Sequence, residues 1–290
     1  MADHSRILRP SSLAELFALW KIHPEGVLFA GGIEHIRNQN SRLPLFKPTI
    51  LSLGNIDELR RISRTERYLE IGAMVRLSQI ISLGKIVPEI LSLCLESIGG
   101  PQLRSQATIG GNLCNASPKL DAAAAMIALD AQYELRTAQS SRWIQASRFS
   151  SLPGPPDLGP QEILTRIRVP LDPWNYTWYR KFTRAGSNEP GGGILFIMRN
   201  QKNILTHIRV LYSGQTTLRE KNSETMLAGK HLPLDRRDAL AFVDHWRNYI
   251  NLYEGNEESV FAGTGMNSNP ELEKSRILNF IKTTIMGISD

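Results

Sequence analysis

The sequence predicts an α+β protein of 290 residues in two domains, the first over residues 1–174 and the second over 175–290. Three observations predict this fold class. A helical pattern, a short apolar run and a double glycine follow one another within residues 12–32. In the second half, two apolar runs flank Asn200–Asn203, as the strands of a hairpin would. Helical patterns then close the chain.

The first predicted helix opens with a capping box, Ser12-Leu13-Ala14-Glu15, in which serine and glutamate can satisfy exposed backbone N–H groups. Apolar residues at helical spacing follow, and the pattern stops near His23-Pro24. The apolar run Val27–Ala30 predicts a buried strand, and it leads directly into Gly31-Gly32.

The rest of the first domain alternates between strand and helix patterns, with an irregular, glycine-bearing segment at 102–120. A helix that begins at Pro88-Glu89 should end at Gly99-Gly100-Pro101, a C-cap followed by a helix breaker. The other expected elements are strands over Tyr68–Val75, Tyr133–Arg136 and Glu162–Val169, an alanine-rich helix over Ala122–Ala131, and a proline- and glycine-rich loop over Ser150–Pro160.

The second domain is predicted to be a three-stranded sheet packed with helices. Asp172–Asn175 is the candidate boundary, because a proline and polar residues interrupt the strand patterns there. The expected strands are Tyr176–Arg184, Ile194–Met198 and Ile204–Tyr212, and the expected helices are Arg219–Leu227, Leu234–Ile250 and Glu271–Ile285.

Composition excludes several classes of function. The net charge of +6 is scattered, and the arginines between Arg60 and Arg67 alternate with acids, so no nucleic-acid groove is expected. No apolar run is long enough for a membrane span, and the N-terminus lacks the pattern of a signal peptide. Two cysteines, Cys94 and Cys114, cannot ligate an iron–sulfur cluster and do not suggest a disulfide framework. A cytoplasmic protein is therefore expected.

No metal site and no catalytic side chain are predicted in this chain. None of the six histidines forms a close pair at metal-ligand spacing, and H-E-x-x-H is absent. The serine-nucleophile pattern G-x-S-x-G is absent as well.

Two double-glycine loops are the most informative feature, Ala30–Glu34 and Thr108–Asn112. Glycine lets the backbone come close to a bulky anion, and successive backbone N–H groups can then hold a pyrophosphate. The dinucleotide fingerprint G-x-G-x-x-G is absent, and each double glycine alone could be a tight turn. Together, two loops far apart in sequence could hold one extended ligand from two sides.

Five segments in order resemble the FAD-binding subunits of molybdenum hydroxylases, a family that includes xanthine and carbon monoxide dehydrogenases. Val27–Glu34 resembles their V-x-A-G-G-T-[DE] loop, and Pro101–Pro118 resembles their second loop over its whole length. The other matching segments are Asp121–Ala131, Glu162–Pro170 and Tyr179–Phe182. The resemblance implies a two-lobed FAD-binding domain of the vanillyl-alcohol-oxidase or PCMH type, followed by a small α+β domain.

The resemblance also implies which residues bind FAD. The first loop would wrap the pyrophosphate, and the second would meet the phosphates and ribityl chain. Asp121 would accept hydrogen bonds from cofactor hydroxyls, or else cap the alanine-rich helix. Lys181 would lie near the pyrimidine edge and stabilise the reduced flavin, or else be a surface lysine. The full implied set is Val27, Leu28, Phe29, Ala30, Gly31, Gly32, Ile33, Glu34, Ile98, Thr108, Ile109, Gly110, Gly111, Asn112, Asp121, Leu164 and Lys181.

By the same resemblance, the molybdenum cofactor and the [2Fe-2S] clusters would belong to a large molybdopterin-binding subunit and a small partner subunit. Electrons would pass from the clusters through FAD to NAD⁺ or another acceptor, in a xanthine dehydrogenase-type enzyme. Ile33 stands where the family usually has threonine, and the C-terminal half matches only loosely. Two alternatives therefore stay open: a stand-alone FAD-dependent oxidase, and an assembly subunit with a weakened flavin site.

Overall fold

The structure is a computed structural model that describes residues 6–37, 48–115, 121–150, 156–183, 190–214, 217–252 and 270–289. Its first part is a small lobe around a parallel sheet with the strand order β1-β3-β2. The elements of this lobe are β1 (Arg6–Leu8), α1 (Leu13–Ile22), β2 (Val27–Phe29), α2 (Ile33–Arg37) and β3 (Thr49–Ser52). The predicted helix and strand are thus present.

The start of α1 differs in one detail from the predicted capping box. The Ser12 hydroxyl accepts the N–H of Glu15, at 3.2 Å, as expected. The Glu15 carboxylate, however, accepts the backbone N–H of Ser11, at 2.7 Å. The helix then packs Leu16 and Phe17 into the core of the lobe, together with Leu51 of β3.

A second lobe is built on a five-stranded sheet in which every pair is antiparallel, with the order β4-β5-β8-β6-β7. Its elements are β4 (Ile62–Arg64), β5 (Tyr68–Gly72), α3 (Leu77–Ser82), α4 (Glu89–Glu96), α5 (Pro101–Gln106), α6 (Ile109–Leu113), α7 (Ala122–Ala128), β6 (Gln132–Arg136), β7 (Ser141–Gln145), α8 (Ala146–Phe149) and β8 (Ile163–Pro170). Short 3-10 turns occupy Leu53–Asn55, Asp57–Arg60 and Gly84–Ile86.

The two faces of this sheet have different surroundings, because alternate side chains of a strand point to opposite faces. Leu69, Ile71 and Tyr133 lie in the core under the helices. On the other face, Glu70 forms ion pairs with Arg166, at 3.1 Å, and Arg168, at 2.7 Å.

The segment that was predicted to be irregular contains two short helices, α5 and α6. Pro101 occupies the first turn of α5, where its missing N–H has no cost. Helix α6 contains Gly110-Gly111, which is unfavourable for an isolated helix, so the sequence pattern gave no helical signal. Ala116–Pro118, the end of the segment that resembles the family's second loop, lies outside the described residues.

The C-terminal part is an antiparallel sheet with the order β12-β11-β10-β9, covered by helices. Its elements are β9 (Tyr176–Thr183), β10 (Pro190–Gln201), β11 (Ile204–Ser213), β12 (Thr217–Arg219), α9 (Lys221–Met226), α10 (Arg236–Asn251) and α11 (Pro270–Ser289). The sheet has one strand more than predicted. Strand β12 has only three residues, too few to show an alternating pattern. The sequence pattern instead predicts a helix from Arg219, whereas α9 begins at Lys221.

The core that surrounds α7 runs across the predicted boundary at Asn175. Leu195, Ile197 and Leu211 of the C-terminal sheet lie in the same apolar cluster as the alanines of α7. The division into domains at this point stays a prediction. Among the described residues, no helix is long and apolar enough to cross a membrane.

Candidate functional site

A cavity of about 670 Å³ lies between the two lobes of the first half and is lined by both double-glycine loops. Its volume is typical of a small-molecule site. The structure brings most of the predicted cofactor residues together here. Those that line the cavity are Val27, Leu28, Phe29, Ala30, Gly31, Gly32, Ile33, Glu34, Ile98, Thr108, Gly110, Gly111, Asn112 and Leu164.

The first glycine loop connects β2 to α2. Gly32 has a φ of +74°, a backbone conformation that residues other than glycine rarely adopt. Gly31 has a different reason to be glycine, because a Cβ there would lie 2.3 Å from the carbonyl oxygen of Gln106. Gln106 is the last residue of α5, so the absence of a Cβ at Gly31 lets the first lobe pack against the second. It does not open space for a ligand.

The first loop also offers hydrogen-bond donors. The N–H of Ile36 donates to the Gly32 carbonyl, at 3.1 Å, and so begins the helix. Within the described residues, the N–H groups of Gly31, Gly32 and Ile33 have no acceptor. Gly32 is buried, and Gly31 and Ile33 are partly buried. Backbone donors removed from water normally find partners, so these residues of the cavity wall favour a ligand with acceptor oxygens.

The second loop uses most of its backbone N–H groups inside the protein. Thr108 is the N-cap of α6, and its hydroxyl accepts the N–H of Gly111, at 3.2 Å. The N–H groups of Ile109 and Gly110 donate to the carbonyls of Val75 and Ala73, at 2.9 and 2.8 Å. This loop therefore contributes mainly shape and side-chain atoms to the cavity. Of its N–H groups, that of Thr108 has no acceptor among the described residues, and the other free backbone donors belong to the first loop.

Three of the predicted residues lie away from the cavity. Ile109 is fully buried in the core. Asp121 and Lys181 form an ion pair, with 2.6 Å between Lys181 Nζ and Asp121 Oδ2. The Asp121 side chain does not cap α7, although the residue occupies the N-cap position.

The ion pair lies in a partly buried polar cluster behind the cavity wall. The Tyr179 hydroxyl donates to the other oxygen of Asp121, and Lys181 also donates to the Ser97 carbonyl, at 3.2 Å. Burial and the Asp121 carboxylate raise the pKa of Tyr179 far above its usual range, so this phenol stays protonated. Ser97 precedes Ile98, which lines the cavity. Asp121 and Lys181 are paired with each other, and neither lines the cavity. Their contact with a cofactor stays a prediction.

Sequence reasoning missed several cavity residues. His35 stacks on Phe29, with 5.4 Å between ring centroids, and one of its ring nitrogens lies 3.2 Å from the Leu28 carbonyl. Glu162 also lines the cavity, and its carboxylate accepts both hydrogen bonds of the Arg142 fork, each at 2.7 Å. Arg142 thereby lowers the pKa of Glu162. Both had a sequence signal, since His35 directly follows the first glycine loop and Glu162 begins a segment that resembles the family.

The charge of the wall is unusual for an anion site. Among the described residues that line the cavity, none is lysine or arginine. An anion there would therefore be held by backbone N–H groups and by the positive end of the α2 dipole. Within the same described part of the chain, no group of three or more His, Cys, Asp or Glu residues could hold a metal ion.

The sequence of the half that forms this cavity matches a known protein family. A family model described as the FAD binding domain in molybdopterin dehydrogenase covers residues 3–172. The chain belongs to this family. The family prediction made from the two loops is thus confirmed, and FAD is the cofactor that the family's domain binds.

Curated relatives of this FAD-binding family are similar over most of the chain. The xanthine dehydrogenase FAD-binding subunit of Escherichia coli O157:H7 is 31% identical over 191 residues, which span 64% of this chain and 64% of the relative. That match covers slightly less than two thirds of the relative's length. The carbon monoxide dehydrogenase medium chain of Hydrogenophaga pseudoflava is 30% identical over 234 residues, 76% of this chain and 79% of the relative.

Solved structures of similar fold cover nearly the whole chain. Quinoline 2-oxidoreductase from Pseudomonas putida 86 matches with a TM-score of 0.81 and 20% identity, over 99% of this chain and 97% of the other. Carbon monoxide dehydrogenase from Hydrogenophaga pseudoflava matches with a TM-score of 0.79 and 24% identity, over 97% and 95%. At such low identity these matches establish the fold alone, and they confirm the predicted α+β class.

Proposed function

We propose that this chain is the FAD-binding, electron-transferring subunit of a molybdenum hydroxylase. One observation carries the proposal: the cavity of this family member is lined by both glycine loops and by backbone N–H groups that have no acceptor among the described residues. A pyrophosphate is an extended anion with many acceptor oxygens, and it fits donors of this kind.

The remainder of the cavity suits the other parts of FAD. Its wall is largely apolar, with Leu28, Met74 and Leu164 among its side chains, and such surfaces bind flat ring systems. FAD supplies the redox chemistry when it is bound, because its ring can take up electrons singly and release them in pairs. The chain itself would bind and orient the cofactor, shield it from water and set the electrostatic field around it.

The remaining centres of the enzyme are proposed to lie in partner chains. This chain has only two cysteines, Cys94 and Cys114, and an iron–sulfur cluster needs four ligands. One similar protein is named a medium chain and another an FAD-binding subunit. We therefore propose a large molybdopterin-binding subunit, a small [2Fe-2S] subunit, and NAD⁺ or another molecule as the acceptor. The location expected from the free thiols is the cytoplasm.

The test is an absorbance spectrum of the purified chain, with the released cofactor identified by mass. We expect a flavin spectrum and FAD in about equimolar amount, either as purified or after FAD is added. A chain that binds no FAD at any added concentration would contradict the proposal.

Such a result would favour the alternative of an assembly subunit with a lost flavin site. Ile33 motivates this alternative, because it lines the cavity where the family usually offers a threonine hydroxyl. Ile33→Thr, which supplies this hydroxyl, would then be expected to restore FAD binding.

A further inference from the structure

Two arginines of the C-terminal sheet hold the C-terminal end of α7. Arg219 of β12 donates to the carbonyl of Ile127, at 2.9 Å, and Arg209 of β11 donates to the carbonyl of Ala128. Both guanidinium groups also pair with Asp130, each at 2.6 Å. We call Arg209, Arg219 and Asp130 the α7 clamp.

The two arginines of the clamp are mostly removed from water, whereas Asp130 is 45% exposed. The side chains of Arg209 and Arg219 are only 17% and 10% exposed. Arg219 also pairs with Glu224, at 2.5 Å, so two carboxylates neutralise the two cations. Cations at the C-terminal end of a helix are stabilised by its free carbonyls and by the negative end of its dipole. Loss of either arginine would leave carbonyls or carboxylates without a donor.

The opposite end of α7 is attached to the same sheet. Asp121, at the start of the helix, pairs with Lys181 and accepts the Tyr179 hydroxyl, and both of these residues lie on β9. The alanines between the two ends are buried, and the small side chains let α7 lie close to β10 and β11. The C-terminal sheet thus fixes α7 at both ends.

Helix α7 in turn contacts the second glycine loop. It packs against α6, and Ile109 and Leu113 of α6 lie in the same apolar cluster as the alanines of α7 and as Leu195 and Leu211 of the sheet. On its other side, α6 presents Gly111 to the cavity. A continuous path of packed groups therefore leads from the clamp to the cavity wall.

We infer that Arg209 and Arg219 are positioning residues for the flavin site, although neither lines the cavity: they hold α7, and through α6 the second glycine loop, in the geometry that binds FAD. The inference rests on the proposed function. On this inference, loosening the clamp weakens FAD binding. Because coupling between two sites is reciprocal, FAD then also stabilises the clamp.

The experiment compares the full-length wild-type chain with Arg219→Lys. A lysine keeps the charge but cannot donate hydrogen bonds to Ile127, Asp130 and Glu224 at the same time, because it lacks the planar fork of arginine. We expect the dissociation constant of FAD to rise by about tenfold, within the usual range of coupling between sites. We also expect the midpoint potential and the visible circular dichroism of bound FAD to shift.

The matched control is Lys230→Met, which removes an exposed ion pair, 3.0 Å long, to Asp238 in the same half of the chain. It should leave FAD affinity and potential unchanged. If Arg219→Lys lowered only the melting temperature and left both FAD readouts at wild-type values, the clamp would be a structural feature alone and the inference would be wrong. A wild-type chain that binds no FAD would instead refute the proposed function, and the inference with it.

A second measurement needs no variant. Addition of FAD to the wild-type chain should slow amide hydrogen exchange at residues 127–130 and in β11 and β12, remote from the cavity. If protection were confined to residues that line the cavity, the two sites would be uncoupled and the inference overturned.

Discussion

At the scale of single residues, the two glycine loops show that similar sequence patterns serve different purposes. Gly31 is required where the carbonyl of Gln106 approaches within 2.3 Å of the position of a Cβ. Gly111 instead faces the narrow space between the loops, where the nearest atoms to a Cβ would be Thr108 Oγ1, at 2.8 Å, and Ala30 Cβ, at 3.8 Å. The first glycine therefore serves the fold, and the second is predicted to leave room for a ligand.

Gly111→Val should abolish FAD binding, because the two methyl groups of valine would enter the cavity between the loops. The chain should still fold, since the closest atom is the end of a side chain and not backbone. FAD titration followed by fluorescence measures the effect. Gly287→Val is the matched control, as that glycine lies in α11 with open space around it. Full FAD binding by Gly111→Val would refute the assignment of the second loop.

Glu162 should make the stability of the chain depend on pH. The Arg142 fork lowers the pKa of the folded carboxyl group, and the Gly159 N–H, at 2.9 Å, acts in the same direction. A lowered folded pKa means that the pair stabilises the fold above the ordinary pKa of glutamate, about 4.3. This contribution is lost as the pH falls through the folded value.

Urea unfolding between neutral and acidic pH measures this dependence. Glu162→Gln should be less stable than wild type at neutral pH, and the difference should shrink below about pH 4. Glu66→Gln, which changes an exposed carboxylate, is the control and should track wild type. A deficit in Glu162→Gln that is the same at every pH would contradict the ion-pair explanation.

At the scale of elements, α7 is the contact layer between the two halves of the chain. All seven of its residues are buried, and five of them, Ala122–Ala125 and Ala128, are alanine. Alanine has high helix propensity and little volume, so the helix can be covered by α4 and α8 as well as by the C-terminal sheet. The alanine-rich pattern was therefore a sign of close packing on all sides.

Ala125→Leu should lower the free energy of unfolding by about 1–3 kcal/mol, the usual cost of inserting methylene groups into a filled core. Ala125 is 0% exposed. Ala14→Leu is the control, because Ala14 lies on the exposed face of α1 and its replacement should change little. The urea midpoints of both variants measure the difference. Equal midpoints would show that the space around α7 is not filled.

At the scale of the whole molecule, the flavin cavity and the C-terminal sheet share one core. The apolar cluster that includes Ile109 of α6 also includes Leu195 and Leu211 of the sheet. A ligand that fills the cavity should therefore stabilise both halves in one transition.

FAD at about 100 times its dissociation constant should raise the free energy of unfolding by about 2.7 kcal/mol. The melting temperature should then rise by roughly 5–10 °C, measured by circular dichroism of the backbone. Gly111→Val is the control and should show no rise. Separate melting of the two halves, with only one shifted by FAD, would contradict a shared core.

The sequence by itself determined the family, the α+β class and the segments that line the cavity. These features depend on local patterns such as Val27–Glu34 and Thr108–Asn112, which can be recognised in consecutive residues. The cysteine count likewise supports the proposal that the iron–sulfur clusters belong to a partner subunit. The division at Asn175 and the roles of single site residues stay predictions.

Only the tertiary structure decided how distant polar groups are paired. Lys181 and Asp121 are 60 positions apart, and Arg219 and Asp130 are 89 positions apart, yet each pair is joined at 2.6 Å. No local pattern shows which charges will meet, because the packing of whole elements sets those distances. The same holds for the backbone donors of the loops: the N–H of Gly110 finds Ala73 while that of Gly32 finds no acceptor among the described residues, and only the fold distinguishes them.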